Sequence, residues 1–120
     1  MKDILIVDDS LLMRNIIKNN LSKEFRISGE AKNGIEAVDM AKKLQPDIIT
    51  MDITMNGKNG LEAAKEILSF KPDTSIVMIS ALNEQNMLSE AIKAGVKEFI
   101  VKPFTPAQLE ESIKKVASKM

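Results

Sequence analysis

Short β-branched apolar runs, each followed by a longer stretch with helical spacing, limit what this chain can fold into more than any other feature of it. Ile4-Leu5-Ile6-Val7, Ile48-Ile49 with Met51, Ile76-Val77-Met78-Ile79 and Phe99-Ile100-Val101 lack strict polar alternation and read as buried strands. Arg26-Ile27-Ser28-Gly29-Glu30-Ala31 is more polar and alternates, as an edge strand does. Between the runs, Asn33 with Glu36, Asn59 with Glu62, and Thr105-Pro106 with Gln108 pair a capping side chain with an acid or amide three residues on. Apolar helix faces are expected from Leu12, Ile16, Ile17 and Leu21, from Ile35 with Val38, and from Leu61, Ala64 and Leu68. Two more come from Leu88, Ala91 and Ile92, and from Leu109, Ile113 and Val116. Gly95 stands where the fourth helix should stop, and Asn33-Gly34 and Asn56-Gly57 read as cap and turn chemistry. A βα unit repeated five times predicts an α/β fold with a parallel sheet covered on both sides.

The 120 residues suit one compact domain over the whole chain, 1–120, with no linker and no segment left for an output domain. Lys plus Arg equals Asp plus Glu at 17 each, so no net charge draws the protein to nucleic acid or anionic lipid. Cysteine and histidine are absent, which removes disulfides, thiolate metal sites, the commonest general base and phosphohistidine chemistry. Carboxylates, hydroxyls, lysine and backbone must do the work. Met1-Lys2-Asp3 and the four apolar residues after it are too short for a signal peptide, and no apolar stretch approaches membrane-spanning length. A cytoplasmic protein is expected. The eight methionines read as core filler.

A sheet of this kind binds its ligand at the carboxyl ends of its strands. Asp8-Asp9 follow the first run, Asp52 ends the third strand, Ser80 follows the fourth run, and Lys102-Pro103-Phe104 follow the fifth. One such acid alone is commonly a solvated strand cap. Together they bring three carboxylates, a hydroxyl and an ammonium to one rim. Each like-charge pair at that range costs roughly 1–4 kcal/mol, which a cation relieves. All-oxygen ligands favour a hard ion such as Mg²⁺. Metal, carboxylate nucleophile, lysine and hydroxyl are what phosphoryl transfer onto an aspartate requires. An aspartyl-nucleophile phosphatase fits poorly, because it wants its nucleophile on the first strand and a second acid two residues later, where Asp8-Asp9-Ser10 stand. A flavin or nucleotide module needs a phosphate loop after that strand, and two acids there repel phosphate.

Asp8-Asp9, Met51-Asp52-Ile53-Thr54-Met55, Ser80-Ala81 and Phe99-Ile100-Val101-Lys102-Pro103-Phe104 together resemble the signature of response-regulator receiver domains, over essentially all of the chain. The length and Ala91-Ile92-Lys93-Ala94-Gly95 most resemble the single-domain chemotaxis members of that family. The resemblance implies a doubly wound, flavodoxin-like sheet of strand order 2-1-3-4-5 with five helices. It implies a phosphorylatable switch rather than an enzyme, with Asp52 as phosphoacceptor, and a cis Lys102–Pro103 bond. Asp9 would bind Mg²⁺ directly, Asp8 through a metal-bound water, Asp52 itself, and Thr54 through its backbone carbonyl. Ser80 and Lys102 would grip the phosphoryl oxygens, and Phe99 would be the aromatic that reports phosphorylation. The implied partners are a histidine kinase, a motility or flagellar-switch protein and a separate phosphatase, with the chain itself a monomer. A phosphorelay role, passing the group to a histidine phosphotransfer protein, stays open beside motility. Asn56 stands where the family often has proline, and Phe99 lacks the hydroxyl of the more usual tyrosine. Thr54 and Leu82, two residues beyond the acceptor and two beyond Ser80, orient water poorly, so slow loss of phosphate is expected.

Overall fold

The computed structural model describes residues 1–53, 55 and 59–120, and at residues 82, 83 and 85 the backbone only. Five βα units follow one another as expected. They are β1 (Asp3–Val7) and α1 (Leu11–Leu21), β2 (Arg26–Ala31) and α2 (Gly34–Leu44), and β3 (Ile48–Asp52) and α3 (Gly60–Phe70). β4 (Ser75–Ala81) leads through a 3₁₀ segment (Leu82–Met87) into α4 (Leu88–Ala94), and β5 (Glu98–Lys102) into α5 (Pro106–Ser118). All pairings are parallel and the order is β2-β1-β3-β4-β5. β3 is buried at every residue, whereas β2, the polar alternating run, lies at the edge.

The pleat divides the core. Leu5, Val7, Ile49, Met51, Ile76 and Met78 face the layer of α2, α3 and α4, built largely from alanines such as Ala37, Ala41, Ala63, Ala64 and Ala91. Ile4, Ile6, Ile48, Val77, Ile79 and Ile100 face α1 and α5, where Ile17, Leu21, Leu109 and Ile113 close the other side. The three capping pairs form: Asn33 and Asn59 accept from the amides of Glu36 and Glu62, and Thr105 with Gln108 makes a complete capping box. Gly95 adopts φ 106° after α4, a left-handed conformation suited to glycine.

Four aliphatic residues expected in helix faces lie outside. Leu12, Ile16, Ile35 and Ile92 are 71%, 39%, 60% and 61% exposed. In α1 the covering stripe is Met13, Ile17 and Leu21, spaced by four, which turns Leu12 and Ile16 toward solvent. In α2 and α4, alanines hold the sheet-facing positions and allow close approach, leaving Ile35 and Ile92 on the far side. Among the described residues no helix is long and apolar enough to cross a membrane.

Candidate functional site

Three alternate strands deliver side chains to the same side of the sheet at its carboxyl rim. Asp8 continues the phase of Ile4 and Ile6 just past β1, while Asp52 ends β3 in the phase of Ile48. Lys102 ends β5 in the phase of Ile100. The Asp8 amide donates to the Ala31 carbonyl (3.1 Å), so the ladder to β2 holds the turn after β1 in place. The Ser10 amide then donates to the Asp8 carboxylate (2.9 Å), and the Ser10 hydroxyl caps α1 by accepting from Met13 (3.2 Å). The turn that presents the first acid is thus also the helix start.

The lysine bridges two acids. Lys102 Nζ lies 3.3 Å from Asp52 Oδ1 and 3.4 Å from Asp8 Oδ2. Asp8 and Asp52 are 1% and 5% exposed, while Asp9 is exposed. One carboxylate oxygen from each of Asp8, Asp9 and Asp52 falls within 4.8 Å of the others. Burial, followed by the charge of Asp8, pushes the Asp52 carboxyl up to about 6, against the pull of Lys102 and with a further push from Asp9. Burial works to lower the Lys102 ammonium, but Asp52 and Asp8 outweigh it and hold it raised. Among the described residues three carboxylates face one ammonium, which leaves two negative charges uncompensated there. A divalent cation closes that balance, and an all-oxygen donor set fits a hard one.

Of the residues singled out in the sequence, Asp8, Asp9, Asp52 and Lys102 therefore meet in one pocket. Ser80 is fully buried at the same rim, in register with Val101, but shares the phase of Met78, which faces α2–α4. Phe99 is half-buried, pairs with Met78 in register and packs on that same layer. The Lys102–Pro103 bond is cis. The Thr54 carbonyl, the Asn56-Gly57 turn and the Leu82 side chain lie outside the described residues.

Sequence reasoning missed Arg14. From the first turn of α1 its Nη1 donates to the Asp8 carbonyl (2.7 Å) and its Nε to Glu30 Oε1 (3.1 Å). Lys18 Nζ holds the other Glu30 oxygen (3.0 Å), and these hydrogen bonds, Lys18 first, keep the Glu30 carboxyl below its ordinary range against the effect of burial. Arg14 is a clamp on the peptide that presents Asp8 and Asp9.

A doubly wound sheet with a buried, lysine-braced acidic pocket at its carboxyl rim is the class of molecule that fold and site define. The response regulator receiver domain model matches residues 4–114, and the chain belongs to that family. It is a CheY-like response regulator, a phosphorylatable signalling switch rather than an enzyme in the usual sense. The chemotaxis protein CheY of Thermotoga maritima is 50% identical over 117 residues, covering 97% of this chain and 98% of its own. That of Bacillus subtilis is 47% identical over 113 residues, covering 93% and 94%. Among solved structures, the CheX–CheY–BeF₃–Mg²⁺ complex from Borrelia burgdorferi aligns with TM-score 0.92 at 33% identity, covering 97% of this chain and 89% of that one.

Proposed function

We propose that this chain, as a single receiver domain over 1–120, takes a phosphoryl group onto Asp52 from a histidine kinase and thereby controls motility. The observation that carries the reading is a buried carboxylate kept undercompensated beside a lysine that also grips a second acid. An Asp52 oxygen attacks phosphorus, a P–O bond forms as the P–N bond to the donor's histidine breaks, and the electron pair returns to the imidazole. Lys102 stays within reach of the new phosphoryl oxygens, and Ser80 comes to them from β4. Asp9 and Asp52, with Asp8 through a bound water, would hold Mg²⁺, together with the Thr54 carbonyl that the family resemblance implies, and the ion would supply charge neutralisation for those oxygens. Phe99 carries the change to the face of α4, β5 and α5, where a motility protein binds. The relatives named CheY support the chemotactic role, and the Borrelia complex with CheX and Mg²⁺ supports both the metal and a further protein partner. We place the protein in the cytoplasm, as a monomer.

Acetyl phosphate with Mg²⁺ should add one phosphoryl group, read by intact mass, and neither Asp52→Asn nor chelated wild type should gain it. Labelling that survives Asp52→Asn overturns the assignment.

The Arg14 clamp has its own expected result. Arg14→Ala should weaken Mg²⁺ binding by about tenfold, at the low end for residues that orient a metal-binding group. Arg14→Lys should fail to rescue it, since an ammonium lacks the planar fork that reaches both Glu30 and the Asp8 carbonyl. Calorimetric titration with Mg²⁺ checks this. Equal affinity in Arg14→Ala and wild type removes the clamp from the metal argument.

A further inference from the structure

A fourth carboxylate stands at the same rim, on the turn after β4. Glu84 Oε1 accepts the amide of Ala81 at 2.6 Å. Where that amide points follows from the ladder. Asp52 pairs with Ile79 in register, and the Ile53 amide donates to the Ile79 carbonyl (3.1 Å), so the polar groups of Ile79 face β3. Alternate residues of a strand address the same neighbour, so the Ala81 amide faces β3 as well. A continued parallel ladder would deliver it to the Ile53 carbonyl. The Gly60 amide occupies that carbonyl at 2.7 Å instead. The Ala81 N–H is thus released from the sheet just beyond the end of the strand that carries Asp52. Across the other edge of β4, Ala81 is the register partner of Lys102, whose ammonium touches Asp52.

A backbone donor at that place, next to a lysine, suits an anion carried on Asp52. In this structure a carboxylate of the chain itself holds it. We propose that Glu84 is an internal competitor for the phosphoryl group: it keeps the Ala81 amide in the unphosphorylated chain and must release it when Asp52 is modified. The inference rests on the reading of Asp52 as acceptor. A phosphoryl group brings about 1.5 to 2 negative charges and three strong acceptors. Beside Asp8 and Asp9 it both outbids Glu84 for the amide and repels it. Glu84 lies on the 3₁₀ segment Leu82–Met87, which runs directly into α4. Its release therefore ties occupancy of Asp52 to the position of that segment. The competitor raises the threshold for activation, and the same displacement transmits it.

The test uses beryllofluoride with Mg²⁺ as the phosphoryl mimic on wild type, Glu84→Gln and Glu84→Ala, followed by ¹⁵N-resolved NMR of the Ala81 amide. Melting curves establish first that each variant folds, and Glu84→Gln, which keeps the shape, serves if Glu84→Ala does not. The Ala81 amide of wild type should shift strongly on adding beryllofluoride. In free Glu84→Ala it should already have moved from its wild-type position. Affinity for beryllofluoride should rise about threefold to tenfold in Glu84→Ala and less in Glu84→Gln. Equal affinity in all three, or an Ala81 amide that ignores beryllofluoride in wild type, overturns the competitor role while leaving Asp52 as acceptor. Wild type that neither binds beryllofluoride nor takes label overturns the reading of Asp52 and the competitor with it.

Discussion

Gly60→Ala is expected to destabilise the protein by about 3 kcal/mol or more, although Gly60 needs no unusual dihedral. The reason is proximity. A Cβ at Gly60 would overlap the Asp52 carbonyl oxygen and lie 2.8 Å from the Asp52 carbonyl carbon and 2.9 Å from Ile53 Cα. All three are backbone atoms at the end of the central strand, where Asp52 pairs with Ile79 of β4 and the Ile53 amide donates to the Ile79 carbonyl, so they cannot yield as a side-chain tip does. Gly60 N also donates to the Ile53 carbonyl at 2.7 Å, a bond that any outward shift of α3 would stretch. Gly29→Ala is the control. Its added Cβ meets Met40 Cε at 2.7 Å and Leu44 Cδ1 at 2.8 Å, both ends of flexible side chains, and the cost there should stay near 1 kcal/mol. Denaturant unfolding of both variants measures the difference. A Gly60→Ala protein as stable as the Gly29→Ala one would show that β3 and α3 are not locked together.

The second large effect concerns charge. Without metal, Asp52→Asn is expected to be more stable than wild type above neutral pH, by roughly 2–3 kcal/mol. The Asp52 carboxyl stands at about 6 in the folded chain and 3.8 in the unfolded reference. The folded state therefore binds the proton more tightly than the unfolded state. That contribution is fully present below pH 4 and is lost as pH rises through about 6. Asparagine never ionises, so its advantage should grow across that window and level off beyond it. Saturating Mg²⁺ should raise the wild-type melting temperature more than that of the variant, because the ion binds the folded acidic site. Paired unfolding curves from pH 4 to 8 in chelator decide the point. A difference that stays flat with pH would mean the Asp52 charge is already compensated in the metal-free protein.

The succession of five βα units and the acidic pocket were legible because both are written in side chains at period and position. The strand order came only with the resemblance to receiver domains. Asp8, Asp9, Asp52 and Lys102 each follow an apolar run, and a parallel sheet sends such residues to one rim. What could not be read is the part made with main chain. Arg14 acts through the Asp8 carbonyl and Glu84 through the Ala81 amide, and a peptide group has no letter of its own. Gly60 is hidden for the same reason, since its obstacle is the Asp52 peptide. The misjudged helix faces have another cause. Ile35 and Ile92 are as apolar as core residues, but Ala37, Ala41 and Ala91 hold the sheet-facing places of α2 and α4, while in α1 Met13, Ile17 and Leu21 hold them and leave Leu12 and Ile16 outside.

The lysine bridge has a consequence for the life of the molecule before it is finished. Lys102 is separated by 94 residues from Asp8 and by 50 from Asp52, so its two contacts are among the most distant in the chain. A nascent or partly unfolded molecule can carry all three acids and still lack the ammonium that draws them together. Contacts that distant in sequence carry a larger loop-closure entropy than the turns of the helices around them. Lys102 thus joins the pocket only when β5 docks on the sheet edge, and the two charges it leaves uncovered still call for a cation. Until that docking the three acids share one rim without the ammonium that bridges Asp8 and Asp52.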